Sequence, residues 1–189
     1  MDVFVLLVRV LLAGMFLSAG LSKRKQIDEH IAIVKEYRIL PGKWVSSFVK
    51  LEIAFEVLAG VLLIVGILTS LSLVLALLLF TSYTIAIVVN LLRGRNEISC
   101  GCGGVAGNHK ISWWLVVRNA VLMMGSASAL YTGSALGNVQ SLLEGQKWSA
   151  IYGYEYFMIL LAAVVVLMTY LLLTDLIGVG KRMNQLFEE

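Results

Sequence analysis

Cys100 and Cys102 are the only two cysteines in the chain, and a single glycine separates them. They lie in NLLRGRNEISCGCGGVAGNHKISWWLVVRN, a glycine-rich turn between two long apolar segments. Cysteines this close can form a disulfide only in a small, strained ring, and strain makes such a bond easy to reduce. Gly101, Gly103 and Gly104 permit unusual backbone angles and close approach of a partner protein. Arg93, Arg95 and Lys110 flank the turn, and a helix is expected to begin just after it. Nearby positive charge and a helix N-terminus both favour a thiolate. A redox dithiol needs this combination of exposure, electropositive surroundings and a reducible bond. Two other uses of the same residues stay open. The thiols serve as inert small side chains in a tight turn, or they ligate a metal together with His109 and His30. Paired zinc cysteines usually have two to four residues between them, so no metal is expected.

Acids and bases also fall where apolar residues are the rule. The chain is 59% hydrophobic and 14% charged, against about 25% charged in a soluble domain. Glu52, Glu56, Arg118 and Arg9 nevertheless sit inside apolar runs. Each costs roughly 2.5–3.5 kcal/mol on membrane-insertion scales unless paired or wetted. At 1.5 Å of rise per residue, Glu52 lies about 12 Å and Arg118 about 11 Å from the cysteine end of their segments. The level match predicts a Glu52–Arg118 ion pair. Glu56 lies one turn deeper, and Arg9 is its expected partner. Such pairs either hold helices together or line a polar pocket beneath the cysteines. Asn119 and Asn90 would add hydrogen bonds to that pocket. Gly14, Ser18, Ala19 and Ser22 make one flank of the first segment small, which permits close helix approach or leaves room for a ligand.

The elements that must position these groups are helices. A run of about 20 apolar residues crosses a bilayer as a helix, because nothing in hydrocarbon satisfies open backbone groups. Five runs qualify: Val3–Ser22, Val45–Gly66, Leu71–Leu92, Ile111–Leu130 and Tyr154–Thr174. Trp44, Trp113, Trp114, Trp148, Tyr152 and Tyr154 stand near their ends, where amphipathic rings prefer the headgroup region. Between the first two runs, Ile27, Ile31 and Val34 recur at helical spacing among charged residues. They predict a short amphipathic surface helix, ended by Pro41 and Gly42, that either connects or acts as a lid. The expected fold is therefore an all-α integral membrane protein: a four-helix transmembrane bundle, a fifth C-terminal span, and a surface helix after span one. It forms a single membrane domain over residues 1–189, with a four-span core over 1–130 and a loop, fifth span and tail over 131–189. The first span is expected to be retained, since no small-residue cleavage site and polar mature domain follow it. A formal charge of +3 is too small to point to nucleic acid. No serine–histidine–acid arrangement or phosphate-binding glycine loop occurs. No span is interrupted at its middle in the manner of a transporter.

Five spans place the surface helix, the cysteine turn and the C-terminal tail on one face. That face carries Lys23, Arg24, Lys25, Lys35, Arg38, Lys43, Arg93, Arg95, Lys110, Lys181 and Arg182, whereas the other carries Lys147 alone. The positive-inside rule puts the cysteine face in the cytoplasm. Disulfide chemistry puts it outside.

NLLRGRNEISCGCGG followed by ISWWLVVRNAVL resembles the MauE branch of the DoxX/MauE membrane proteins. FLSAGLSK in the first span and KLEIAFEVLAGVLLIVGILT in the second fit the same pattern, and the likeness covers roughly residues 5–130. Gly103 and Gly104 stand where the family often has an aromatic residue. The resemblance implies thiol–disulfide chemistry at the cell membrane, beside a thioredoxin-like protein or a disulfide-bearing client, in maturation of a disulfide-rich methylamine dehydrogenase subunit. Relatives in the DoxX group are linked to quinone reduction, and the layout is similar to vitamin K epoxide reductase. On this reading Cys100 and Cys102 exchange electrons with the protein partner, and a quinone is the expected cofactor. Glu52 or Glu56 carries protons, and Arg118 stabilises charge on the quinone oxygen. Asn119, Asn90 and Ser18 complete the binding pocket. The family role favours the outside for the cysteine loop. A non-enzymatic anchor for a thioredoxin-like protein is the competing expectation.

Overall fold

The computed structural model describes residues 2–103, 110–133, 139, 145, 151, 153, 154, 156–166, 168 and 169. It contains six helices and no strand among these residues. They are α1 (Asp2–Lys25), α2 (Ile27–Glu36), α3 (Gly42–Val65), α4 (Thr69–Leu92), α5 (Trp113–Thr132) and α6 (Tyr156–Val166). Two of them, over Val3–Lys25 and Thr69–Leu92, are long and apolar enough to cross a membrane. The expected fifth span, from 154 to 174, lies partly outside the described residues, as do Trp148, Tyr152, Lys147, Lys181 and Arg182.

Helix ends follow local chemistry. Pro41 occupies the N-cap of α3, where a missing N–H costs nothing. Gly66 closes the same helix in the left-handed conformation, which glycine adopts without a Cβ penalty. Leu68 then opens α4 at φ 50°, so α3 and α4 reverse direction within three residues.

Around the bundle, α1 packs on α3, α3 on α4, α4 on α5, and α5 back on α1. Between apolar helices, small residues let the backbones approach closely. Gly60 supplies that approach. A Cβ built there would stand 2.7 Å from Leu17 Cγ and 3.2 Å from the Leu17 nitrogen. Gly20 does the same against Val57. Arg9 is buried and donates to the Leu63 carbonyl oxygen at 3.1 Å, which ties α1 to the far end of α3.

The expected surface helix is α2, and it is bound on two sides. Ile27, Ile31 and Val34 pack onto Val45, Val49 and Ile53 at the start of α3. Ile33 and Tyr37, on the other side, join Ile87, Ile98, Ile111 and Leu115. That second cluster anchors the cysteine turn. An isolated antiparallel bridge pairs Ser99 with Lys110, and Ile111 donates its N–H to the Ile98 carbonyl at 2.9 Å. The turn is therefore fastened at its base and covered by α2.

Candidate functional site

A cavity of about 330 Å³ opens beneath the cysteine turn. Its walls come from α1 to α5. Phe16 and Phe80 pack at 5.1 Å between ring centroids and contribute to its apolar lining. Cys100, Gly101 and Cys102 form part of the wall, and the two cysteines are joined by a disulfide. Gly101 sits at φ 67°, a conformation that side chains resist. A Cβ there would also stand 3.1 Å from Ile33 and 3.3 Å from the His30 ring. The glycine between the sulfurs is thus required twice, by its backbone and by α2 against it.

Two groups hold the turn from below. The Tyr37 hydroxyl donates to the Cys100 carbonyl oxygen at 3.1 Å. Burial, together with the charge of Glu52, pushes the Tyr37 hydroxyl above its ordinary range, so it remains a donor. Arg118 Nη2 lies 3.5 Å from Cys102 Sγ and 3.3 Å from Asn119 Oδ1. Asn119 in turn places Nδ2 3.4 Å from Thr84 Oγ1.

The acids of α3 meet a different cation from the one expected. Lys23 Nζ donates to Glu52 Oε1 and to Glu56 Oε1, each at 2.7 Å. All three side chains are nearly inaccessible. The Tyr83 hydroxyl donates to Glu56 Oε1 at 2.7 Å, and Lys23 lies 4.8 Å from the Tyr83 ring centroid. His30 Nε2 lies 3.3 Å from both oxygens of Glu52. Glu56 Oε2 is buried and has no hydrogen-bond partner among the described residues.

The expected ion pairs are therefore corrected. Lys23 and His30 face Glu52 in place of Arg118, which reaches up to Cys102. Lys23 and Tyr83 face Glu56 in place of Arg9, which reaches the Leu63 carbonyl. The reason is the length of α1, which continues to Lys25 rather than ending at Ser22 and so carries Lys23 into the bundle. Of the expected site residues, Cys100, Cys102, Glu52, Glu56, Arg118 and Asn119 line one cavity. Asn90 and Ser18 do not line it. Asn90 is fully buried, donates to the Ala86 carbonyl and accepts from Arg95. Ser18 donates back to Met15 at 2.9 Å. His109, the proposed metal partner, lies outside the described residues.

Lys23, Tyr83 and Tyr37 were absent from the expected site, and His30 entered it only as a metal ligand. A signal for Lys23 existed. Leu12, Phe16, Ala19 and Lys23 recur at spacings of four, three and four, the stripe of one helix face. Three of these residues are apolar and buried, and the lysine continues their line.

Fold and site together define a class: a helical bundle with membrane-length apolar helices, in which a disulfide walls an apolar cavity containing a buried acid–lysine cluster. Residues 1–132 match the family profile described as Methylamine utilisation protein MauE. The chain belongs to the MauE family. Methylamine utilization protein MauE of Paracoccus denitrificans is 36% identical over 138 residues, covering 72% of this chain and 73% of the relative. Its counterpart in Paracoccus versutus is 32% identical over 151 residues, covering 79% and 81%. That of Methylophilus methylotrophus is 38% identical over 85 residues, 45% of each chain. No solved structure matches the chain.

Proposed function

We propose that this protein is a membrane thiol–disulfide oxidoreductase that exchanges electrons between a thioredoxin-like or client protein and a quinone, through Cys100 and Cys102. The names of its relatives place the work in methylamine utilisation. The observation that carries the reading is the shared cavity: one wall holds the disulfide, and the same space is lined by Glu56, one of whose buried carboxylate oxygens has no partner among the described residues. A volume of about 330 Å³ is at the lower end of the usual range for a small-molecule site. Apolar walls with Phe16, Phe48 and Phe80 suit a flat ring, and Glu56 Oε2 and Arg118 provide polar atoms for ring oxygens.

The chemistry balances in two exchanges. A thiolate of the reduced partner attacks one sulfur of the Cys100–Cys102 bond, giving a mixed disulfide, and the partner's second thiol resolves it. The partner leaves oxidised, and Cys100 and Cys102 are left as thiols. Reoxidation returns two electrons and two protons to the quinone, the second substrate, and restores the disulfide. Arg118 beside Cys102 Sγ stabilises that sulfur as the leaving thiolate, which makes Cys100 the attacked atom. Tyr37 and Ile33 hold the turn still while the bond opens.

In this reading α1, α3, α4 and α5 cross the membrane as a four-span core, α2 lies at the boundary, and the run from 154 to 174 is a fifth span. The cysteine loop faces outside the cytoplasm, against the direction of the charge count, and the layout parallels vitamin K epoxide reductase. The test uses purified protein in lipid nanodiscs with dithiothreitol and a short-chain quinone. Quinone reduction is expected, and Cys100→Ser and Cys102→Ser should each abolish it. A rate that survives both replacements would refute the redox role. Binding of a thioredoxin-like partner with no quinone reduction would favour the anchor reading instead.

A further inference from the structure

The functional reading leaves the route of the protons open. Oxidising two thiols with a quinone releases two protons at the sulfurs and consumes two at the ring oxygens. Electrons cross within the cavity, but protons need groups that bind and release them. The buried cluster runs between the two places. His30 packs its ring edge against Gly101, between the sulfurs, and turns Nε2 toward Glu52 at 3.3 Å. Glu52 shares Lys23 with Glu56 at 2.7 Å on each side. Glu56 ends the series with Oε2 buried and unpartnered among the described residues.

A second, smaller cavity of about 30 Å³ is also lined by His30. Ser22, Gln26 and Glu29 line it together with Gly101 and Gly103. It has room for a water or two and several polar partners for them. Gln26 and Glu29 are exposed, so this vestibule adjoins the surface. Lys23, His30, Ile33 and Gly101 line both cavities.

The charge count fits the same role. With both carboxylates ionised and His30 neutral, one ammonium and two carboxylates carry one net negative charge, which a single proton cancels. Four helices contribute a group here: Lys23 from α1, His30 from α2, Glu52 and Glu56 from α3, and Tyr83 from α4. Arg118 of α5 stands on the same cavity, toward Cys102.

We propose that His30, Glu52, Lys23 and Glu56 form a proton path from the vestibule beside the cysteine turn to the ligand. Glu56 Oε2 is its inner end, the atom that donates to a quinone oxygen when protonated and accepts from the quinol hydroxyl when ionised. Glu56 is a catalytic residue in this sense, and His30, Glu52 and Lys23 act through it. The path rests on the redox reading above.

The experiment compares His30→Gln and Glu56→Gln with the unsubstituted protein in nanodiscs. Both replacements preserve size and hydrogen bonding while removing a protonatable group. Each should slow quinone reduction at least tenfold, while dithiol exchange with the Cys100–Cys102 bond stays within twofold. For His30→Gln, the solvent deuterium isotope effect should rise as proton delivery becomes limiting. A second readout needs no quinone. Reducing the disulfide with dithiothreitol should change a carboxyl band in the infrared difference spectrum, and Glu56→Gln should remove that band. Quinone reduction within twofold in either variant overturns the path. If the unsubstituted protein exchanges its disulfide but reduces no quinone, the functional reading fails by itself. The infrared band then decides the path: a band assigned to Glu56 sustains it, and its absence overturns it.

Discussion

Replacing Lys23 with methionine removes one ammonium and leaves two buried carboxylates facing each other across its place. Methionine fills similar volume, so packing changes little and the electrostatic loss dominates. Lys23, Glu52 and Glu56 are each at most 5% exposed, and both contacts of the ammonium are at 2.7 Å. Breaking a buried pair by removing one partner costs about 3–5 kcal/mol. At 1.4 kcal/mol per decade, that shifts the unfolding equilibrium by about two to three and a half orders of magnitude. Reversible unfolding in mixed micelles, titrated with a denaturing detergent, measures it. Adding Glu52→Gln and Glu56→Gln to Lys23→Met should restore at least half of the loss, because the uncompensated charges are then gone. Lys110→Met is the control. It breaks the exposed Lys110–Glu97 pair and should cost less than about 1 kcal/mol. A Lys23→Met cost no larger than that control, or a triple variant no more stable than Lys23→Met alone, would refute the buried cluster.

Gly60→Ala should destabilise the bundle by about 1–3 kcal/mol in the same titration, the usual cost of overpacking. Leu17→Ala in that background should recover part of it, since Leu17 is what the new methyl meets. In reduced protein, Arg118→Met should slow alkylation of Cys102 several-fold at neutral pH, because the guanidinium beside Sγ favours the thiolate. The sign of the pH dependence follows: the difference closes as pH rises and the thiolate forms unaided. Equal rates at neutral pH would show that Arg118 does not act on that sulfur. In intact cells treated with a reductant, a membrane-impermeant maleimide should label Cys100 and Cys102. Labelling only after the membrane is opened would put the cysteine turn in the cytoplasm, where the charge count places it.

The cysteine turn and the helical architecture were legible because each has a local signal. Apolar runs of helical length need no partner to be recognised, and Cys-Gly-Cys between two of them is conspicuous by itself. The amphipathic spacing of Ile27, Ile31 and Val34 also found α2 correctly. What it left out was the opposite side of the same helix. His30 and Ile33 are buried because the cysteine turn folds over them, a contact some 70 residues away in sequence. The ion pairs failed for a related reason. Matching depth places Glu52 and Arg118 at one level but says nothing about rotation around each helix axis. Lys23 was misread because basic residues at the end of an apolar run usually mark the membrane boundary. Arg24 and Lys25 are exposed and fit that rule, whereas Lys23 lies on the stripe of Phe16 and Ala19 and turns inward. One residue of helical rotation separates an anchor from a site residue.

That inward turn bears on whether the cluster merely holds the bundle together. A buried ion pair is a poor means of stabilising a protein, since well-packed apolar residues of similar volume often do as well or better. Gly20 and Gly60 already bring α1 and α3 into close contact without any charge. A purely structural pair would also need only one carboxylate for one lysine. Here a second carboxylate, Glu56, is 1% exposed and keeps one oxygen without a donor among the described residues. Leaving a buried acceptor unsatisfied costs about 1–3 kcal/mol. A proton on that oxygen, or a hydroxyl of a bound ligand, would offset that cost. On the proposed reading, the surplus acid serves a group that arrives and leaves, and the cavity shared with the Cys100–Cys102 disulfide gives that group its place.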